Sequence, residues 1–298
     1  MNHTRHRCPA PLSGTAGGRR RERLAGVTDP LPITGERTVP AVPSENYWFR
    51  RHEVVYRYLR PRLAGARVLE VGCGEGYGTA MLARDADEVI GLDYDAAAVA
   101  HAARRYQSPS PSPSPSPSFV RASLAHLPIR SASVDVVVSL QVVEHVWDHP
   151  QFLAECRRVL RPGGRLWLST PNRLTFSPGD DGSTPPRNAY HTHEFVAAEL
   201  AGLLTATRWA RIALAGLFAG PRLVALDQRW HGFAERQLGD DPSRWPPALL
   251  EDVASVVASD FLIGDAGLIA DAGLIADAGA GRDLDTSLDL IATAVRPD

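Results

Sequence analysis

A doubly wound α/β fold, a mostly parallel sheet of seven strands with helices on both faces, is predicted by three features of the sequence. From residue 66 onward short apolar runs alternate with helical stretches, the order that builds βαβ units. Residues 67–71 read as a buried strand running straight into a turn with Gly72, Gly74 and Gly76 at alternate positions. Residues 165–169 form a near-continuous apolar run of the kind covered on both faces of a sheet, entered through Pro162, Gly163 and Gly164. On this pattern strands are expected at 67–71, 88–92, 118–121, 134–139 and 165–169, with helices at 77–84, 95–106 and 150–160. A later helix at 193–206 leads to a strand at 211–214, and 288–292 supplies the last strand.

The ends and insertions follow from composition. Residues 1–42, rich in Arg, Pro, Gly and Thr without apolar periodicity, are expected to be a disordered tail, and the domain proper to occupy 43–298. Nothing after Arg19, Arg20 and Arg21 forms the apolar core of a signal peptide. Tyr47, Trp48 and Phe49 open a helix whose apolar face continues through Val54, Val55, Tyr58 and Leu59. Residues 108–118 are a Ser-Pro alternation, read as an extended surface loop. The hexapeptide beginning at Asp265 repeats at Asp271 and starts again at Asp277, too few copies for a solenoid. Residues 220–285, far longer than a hairpin needs, are expected to be a helical insertion capping the substrate side.

Composition also excludes classes of function. A net charge of −2 gives no general attraction to nucleic acid or to an anionic membrane. No apolar run reaches the ~18 residues of a membrane span, so a cytoplasmic protein is expected. Cys8, Cys73 and Cys156 are too few and too scattered for a disulfide framework or a zinc site, and no metal is expected. Oligomeric state leaves no mark in the sequence.

The glycine turn marks a nucleotide-handling site. A dinucleotide fingerprint would need G-x-G-x-x-G, but the frame from Gly72 ends on Tyr77 and the frame from Gly74 on Thr79. With Glu70 ahead of it, the segment instead resembles the E/D-x-G-x-G-x-G motif of class I S-adenosylmethionine (SAM) dependent methyltransferases, and the L-R-P-G-G turn at 160–164 resembles the same family. The resemblance implies a Rossmann-like sheet with an antiparallel ending, a leading helix over the cofactor pocket, and SAM as cofactor.

Ligands of such sheets bind outside the carboxyl ends of the strands, which selects the candidate residues. Glu70, Gly72, Cys73, Gly74 and Gly76 follow or end the first strand. Asp93 ends the second, where a carboxylate matches two adjacent ribose hydroxyls, while Asp95 is the better helix cap. Tyr94 is placed against the adenine, Ser123 and Leu124 along the adenine edge as in type 11 methyltransferases, and Gln141 beside the methionine group. Glu144 and His145 are placed near the methyl transfer path, and His145, His149, His191 and His193 are the candidates for a base at an acceptor hydroxyl. The pair His191-x-His193 has no evident carboxylate set for a metal.

Three longer stretches, 47–56, 152–164 and 169–179, resemble the mycofactocin oligosaccharide methyltransferases of actinobacteria, over about residues 45–295. That resemblance implies a glycosylated small-molecule acceptor, a hydroxyl on the glucose chain of the redox cofactor mycofactocin. Asn172 and Arg173 would then face the sugar, with Trp48 or Trp147 stacked on a pyranose. A methyltransferase for a polyketide or quinone and a non-catalytic SAM-binding partner protein are the alternative readings.

Overall fold

The structure, a computed structural model, describes residues 31, 37–108, 116–239, 241–265 and 283–298. The strands are β1 (Arg67–Val71), β2 (Glu88–Asp93), β3 (Ser118–Arg121), β4 (Val134–Leu140), β5 (Leu160–Pro171), β6 (Ala210–Ala219), β7 (Phe261–Asp265) and β8 (Asp289–Val295). The helices are α1 (Asn46–Leu59), α2 (Tyr77–Leu82), α3 (Ala96–Tyr106), α4 (His149–Val159), α5 (Arg173–Phe176), α6 (Ala197–Ala206), α7 (Pro221–Trp230), α8 (Glu235–Gly239) and α9 (Pro247–Ala254). They form one sheet in the order β3-β2-β1-β4-β5-β8-β6-β7. The pairs among β1 to β5 are parallel, and β5–β8, β8–β6 and β6–β7 are antiparallel.

Both faces of the sheet are covered, and the sequence alternation assigns them. Val68, Val136, Val138, Trp167 and Ile291 pack with α1, α2 and the helices after β6. Leu69, Val137, Leu166, Leu168 and Leu290 pack with α4 and α6 on the other side. A buried aliphatic side chain contributes about 1.5–3 kcal/mol, so these two layers supply most of the force that holds the helices to the sheet.

The structure departs from the sequence reading in three places. The sheet has eight strands, because β7, read as part of the insertion, pairs along β6. The Pro-Gly-Gly turn lies inside β5: Leu160 pairs with Val134 and Arg165 with Val136, so the intervening residues bulge from the ladder. Residues Arg37 and Thr38, placed in the tail, contact the glycine turn region, with Thr38 Oγ1 2.8 Å from the Tyr77 hydroxyl. The insertion helices form a continuous core with α1, and the Asn46 amide donates to the carbonyls of Val253, Ala254 and Val256 at 2.8–3.0 Å.

Of the Ser-Pro run, Ser108 and 116–118 are described; the Ser108 N–H donates to Ser116 Oγ at 2.8 Å, which draws the two ends together. The expected tail up to residue 30 and the hexapeptide repeat from 266 lie outside the described residues.

Candidate active site

β1 delivers the chain into a turn in which Gly72, Gly74 and Gly76 all have positive φ, 84°, 52° and 97°. A Cβ on Gly72 would sit 2.3 Å from Val142 Cγ2, so only glycine lets the turn lie against the end of β4. The turn is anchored to β2: Gly72 N and Cys73 N donate to Leu92 O at 2.7 and 2.9 Å, and Gly74 N donates to Asp93 Oδ2 at 2.9 Å. Asp93 Oδ1 takes the Asp95 N–H, while Asp95 caps α3 through Ala97 N at 2.8 Å. That division matches the expectation that Asp95, not Asp93, is the cap. Beside Asp93 the Tyr94 ring is 69% exposed, and Ser123 is exposed with its Oγ accepting Ala125 N; Leu124 packs half-buried on the core.

Glu70 does not open onto the turn. Its carboxylate is buried, accepts the Tyr56 hydroxyl at 2.6 Å and the Thr79 hydroxyl on its other oxygen, and so ties α1 and α2 to β1. Burial pushes its pKa up to about 7, against the opposing pull of the Thr79 and Tyr56 hydrogen bonds. Cys73 is buried, and burial raises its thiol pKa, which removes it as a nucleophile.

A second group gathers at the ends of β4, β5 and β8. Gln141 has φ 56°, a left-handed conformation uncommon outside glycine and costing roughly 1 kcal/mol or more. Its backbone N–H donates to Ser169 O at 2.9 Å, and its side-chain amide to Ser169 Oγ at 3.1 Å and Asp289 Oδ1 at 3.3 Å. Asp289 is buried and paired through both oxygens with Arg51 of α1, Nε to Oδ2 at 2.8 Å. Arg51 in turn lies 4.4 Å from the Phe176 ring and 5.4 Å from the half-buried Trp48. Burial raises the Asp289 pKa, opposed by Arg51 and by Gln141.

One turn further, Glu144, His145 and His191 come together. Glu144 is buried and accepts the Thr170 hydroxyl at 3.1 Å; burial raises its pKa and the two imidazoles oppose the rise. The His145 and His191 rings stand edge to face with centroids 4.9 Å apart. His145 Nδ1 is 3.0 Å from Tyr190 O, and His191 Nδ1 is 2.7 Å from Glu194 Oε1. The segment after α5 is held to this cluster by Thr192, whose N–H donates to Glu144 O at 2.6 Å.

Four expected site residues lie outside this cluster. His193 turns away from the cluster, with Nε2 3.3 Å from Glu199 Oε2 and its ring 4.5 Å from that of Phe195. It lines an open hollow of about 520 Å³ with Trp147, His149, Thr192 and Glu199. Trp147 itself is 89% exposed. Asn172 is buried as the cap of α5, its amide donating to Leu284 O and Ser287 O at 2.9 and 3.1 Å. Arg173 is buried in a two-bond pairing with Glu199 at 2.7 and 2.9 Å. Both are buried and hold the chain after β5 in place.

Arg51, Asp289, Tyr56, Thr79 and Glu194 were given no role from the sequence. Arg51 and Asp289 are 238 positions apart, and no local pattern links them. Glu194 was legible in principle, as an acid three residues after His191.

A glycine turn at left-handed φ after a parallel strand, held by a carboxylate at the next strand end, suits an adenosine-bearing cofactor, and the sheet is that of the doubly wound, cofactor-binding α/β class. The comparisons place the chain within that class. A family model described as methyltransferase domain matches residues 69–168. A Mycobacterium tuberculosis H37Rv protein described as a probable S-adenosylmethionine-dependent methyltransferase is 48% identical over 270 residues, covering 90% of each chain. A Mycolicibacterium smegmatis protein with a similar description is 49% identical over 272 residues, 90% of this chain and 96% of its own. A ubiquinone biosynthesis O-methyltransferase of Xanthomonas oryzae is 35% identical over 157 residues, 50% of this chain and 64% of its own. Among solved structures, a SAM-dependent methyltransferase of Thermotoga maritima, described as a possible histamine N-methyltransferase, shares the fold. Its TM-score is 0.52 at 15% identity, over 84% of this chain and 92% of that one. The chain belongs to the SAM-dependent methyltransferases, and S-adenosylmethionine is its cofactor.

Among the described residues no helix is long and apolar enough to cross a membrane.

Proposed function

We propose that this methyltransferase acts in the cytoplasm on oxygen, at a sugar hydroxyl of a glycosylated small molecule, the oligoglucoside chain of mycofactocin. The observation that carries the reading is the Glu144–His145–His191 cluster two residues beyond Val142, the side chain against which Gly72 packs. Bound S-adenosylmethionine supplies a methyl group already activated on a sulfonium. What a sugar hydroxyl lacks is a partner for its proton, and a positioned group of this kind is worth about 10²- to 10⁴-fold in rate.

In this reading the Gly72–Gly76 backbone and Asp93 hold the ribose side of the cofactor. Tyr94 lies against the adenine, Ser123 and Leu124 border its edge, and Gln141 flanks the methionine group. Trp147, exposed at the rim, offers a flat apolar face to a pyranose, and Trp48 does so from α1. The similarity to the ubiquinone biosynthesis O-methyltransferase supports oxygen as the acceptor atom.

The test is acceptor preference. At saturating S-adenosylmethionine, kcat/KM for glycosylated mycofactocin is expected to exceed that for its aglycone and for a catechol quinone precursor by at least tenfold. Equal or higher turnover of the aglycone or the catechol contradicts the sugar assignment.

A further inference from the structure

The three side chains at the end of β4 form a donor set for a metal ion. One ligand atom from each of Glu144, His145 and His191 lies within 4.8 Å of the other two. The carboxylate missing from the His191-x-His193 spacing is thus supplied by Glu144, and the second imidazole is His145 instead of His193.

The surroundings orient both rings in the way ligands require. Tyr190 O can only accept, so the proton of His145 sits on Nδ1 and Nε2 keeps its lone pair. Glu194, buried beside His191, fixes the same tautomer there through Nδ1. The Asn188 amide nitrogen lies 3.0 Å from His191 Nε2 while its Oδ1 takes the Tyr190 N–H, so Nε2 is the acceptor, and an ion at Nε2 has to displace that amide. A backbone carbonyl behind one imidazole and a carboxylate behind the other are the outer-shell partners that metal-ligating histidines have. The Thr170 hydroxyl holds one oxygen of Glu144 in the same manner.

We infer that Glu144, His145 and His191 bind a first-row divalent cation, such as Zn²⁺, Co²⁺ or Mn²⁺, which holds the acceptor hydroxyl beside the glycine turn. Two imidazoles and one carboxylate favour such an ion over Mg²⁺ or Ca²⁺, which take oxygen ligands. At bond lengths of about 2.0–2.2 Å the donors of one ion stand roughly 3–3.5 Å apart, so the set closes by about 1 Å on binding. Three protein ligands leave positions open for substrate oxygens, and a vicinal diol can fill two. That purpose rests on the sugar-hydroxyl reading; the binding itself does not. Ligated to the ion, the three side chains no longer take the proton themselves; the ion acidifies the bound hydroxyl, whose proton passes to solvent as the O–C bond forms and the C–S bond breaks, with S-adenosylhomocysteine leaving.

The test uses the full-length protein, stripped with a chelator, dialysed and titrated with Co²⁺ in the absence of cofactor and acceptor. One equivalent should bind with the visible absorption of a four- or five-coordinate ion, displaced by Zn²⁺ and unaffected by millimolar Mg²⁺. His191→Ala and Glu144→Gln should lose this signal, and Glu194→Gln, which touches no ion, should weaken binding about 10- to 100-fold. Far-ultraviolet circular dichroism identifies which variants are folded. Absence of the signal in the folded wild type, or its persistence in a folded His191→Ala, overturns the inference while leaving methyl transfer to be judged by its own assay.

Discussion

Glu70 and Asp93 are both carboxyl side chains towards the ends of neighbouring strands, but their surroundings set them to different tasks. Asp93 receives two backbone N–H groups and borders the exposed Tyr94. Glu70 receives two hydroxyls in the core. Asp93→Ala is therefore expected to weaken S-adenosylmethionine by about 10²-fold or more, since hydrogen bonds to a charged group are worth about 1.5–3 kcal/mol each; isothermal titration measures it.

For Glu70 the consequence is a pH dependence. Its folded pKa, about 7, is above its ordinary value of 4.5, so its contribution to stability is complete below about pH 4.5 and is lost as pH rises through 7. At about 1.4 kcal/mol per unit the loss is about 3 kcal/mol. His52 works in the opposite sense, because burial and then Arg51 lower its pKa to about 3, and its stabilisation is lost as pH falls from 6.5 towards 3. A comparison of Glu70→Gln with wild type isolates the first effect: the gap between their denaturation free energies should change by about 3 kcal/mol between pH 4.5 and 8. A constant gap would mean that Glu70 titrates normally.

Among the elements, α1 joins the parts of the molecule. Tyr56 reaches Glu70, Arg51 reaches Asp289 at the start of β8, and Asn46 reaches the insertion. Removing one partner of a buried ion pair costs about 3–5 kcal/mol. At about 2–4 °C per kcal/mol for chains of this size, Arg51→Met should lower Tm by roughly 10 °C. Arg51→Met combined with Asp289→Leu should recover much of that loss, and a double variant no more stable than the single one contradicts the pairing argument. The helix itself was legible from its apolar face; its role as a clamp was not, because both long-range partners lie more than 200 positions away. The same distinction separates Gly72, whose spacing announced a tight turn, from Asn172 and Arg173. Those two looked like sugar-binding donors at a strand end, but their partners, Ser287 and Glu199, come from segments no local pattern connects to them.

At the scale of the whole molecule, the parallel half of the sheet could be read from alternating apolar runs and its ending from the family resemblance. The eighth strand could not, since β7 is five residues long and runs into the hexapeptide repeat. The Ser-Pro run left the topology intact because it joins α3 to β3 with its ends held at Ser108 and Ser116. Replacing residues 109–115 with two glycines should change stability by less than about 1 kcal/mol, because loop length enters the closure entropy only logarithmically; chemical denaturation measures it.

The most direct test of the central claim is methyl transfer from trideuteromethyl-labelled S-adenosylmethionine, followed by mass spectrometry of glycosylated mycofactocin. The label is expected on one sugar residue of the glycan, with none on the aglycone. A protein that binds S-adenosylmethionine and leaves the glycan unlabelled would contradict it.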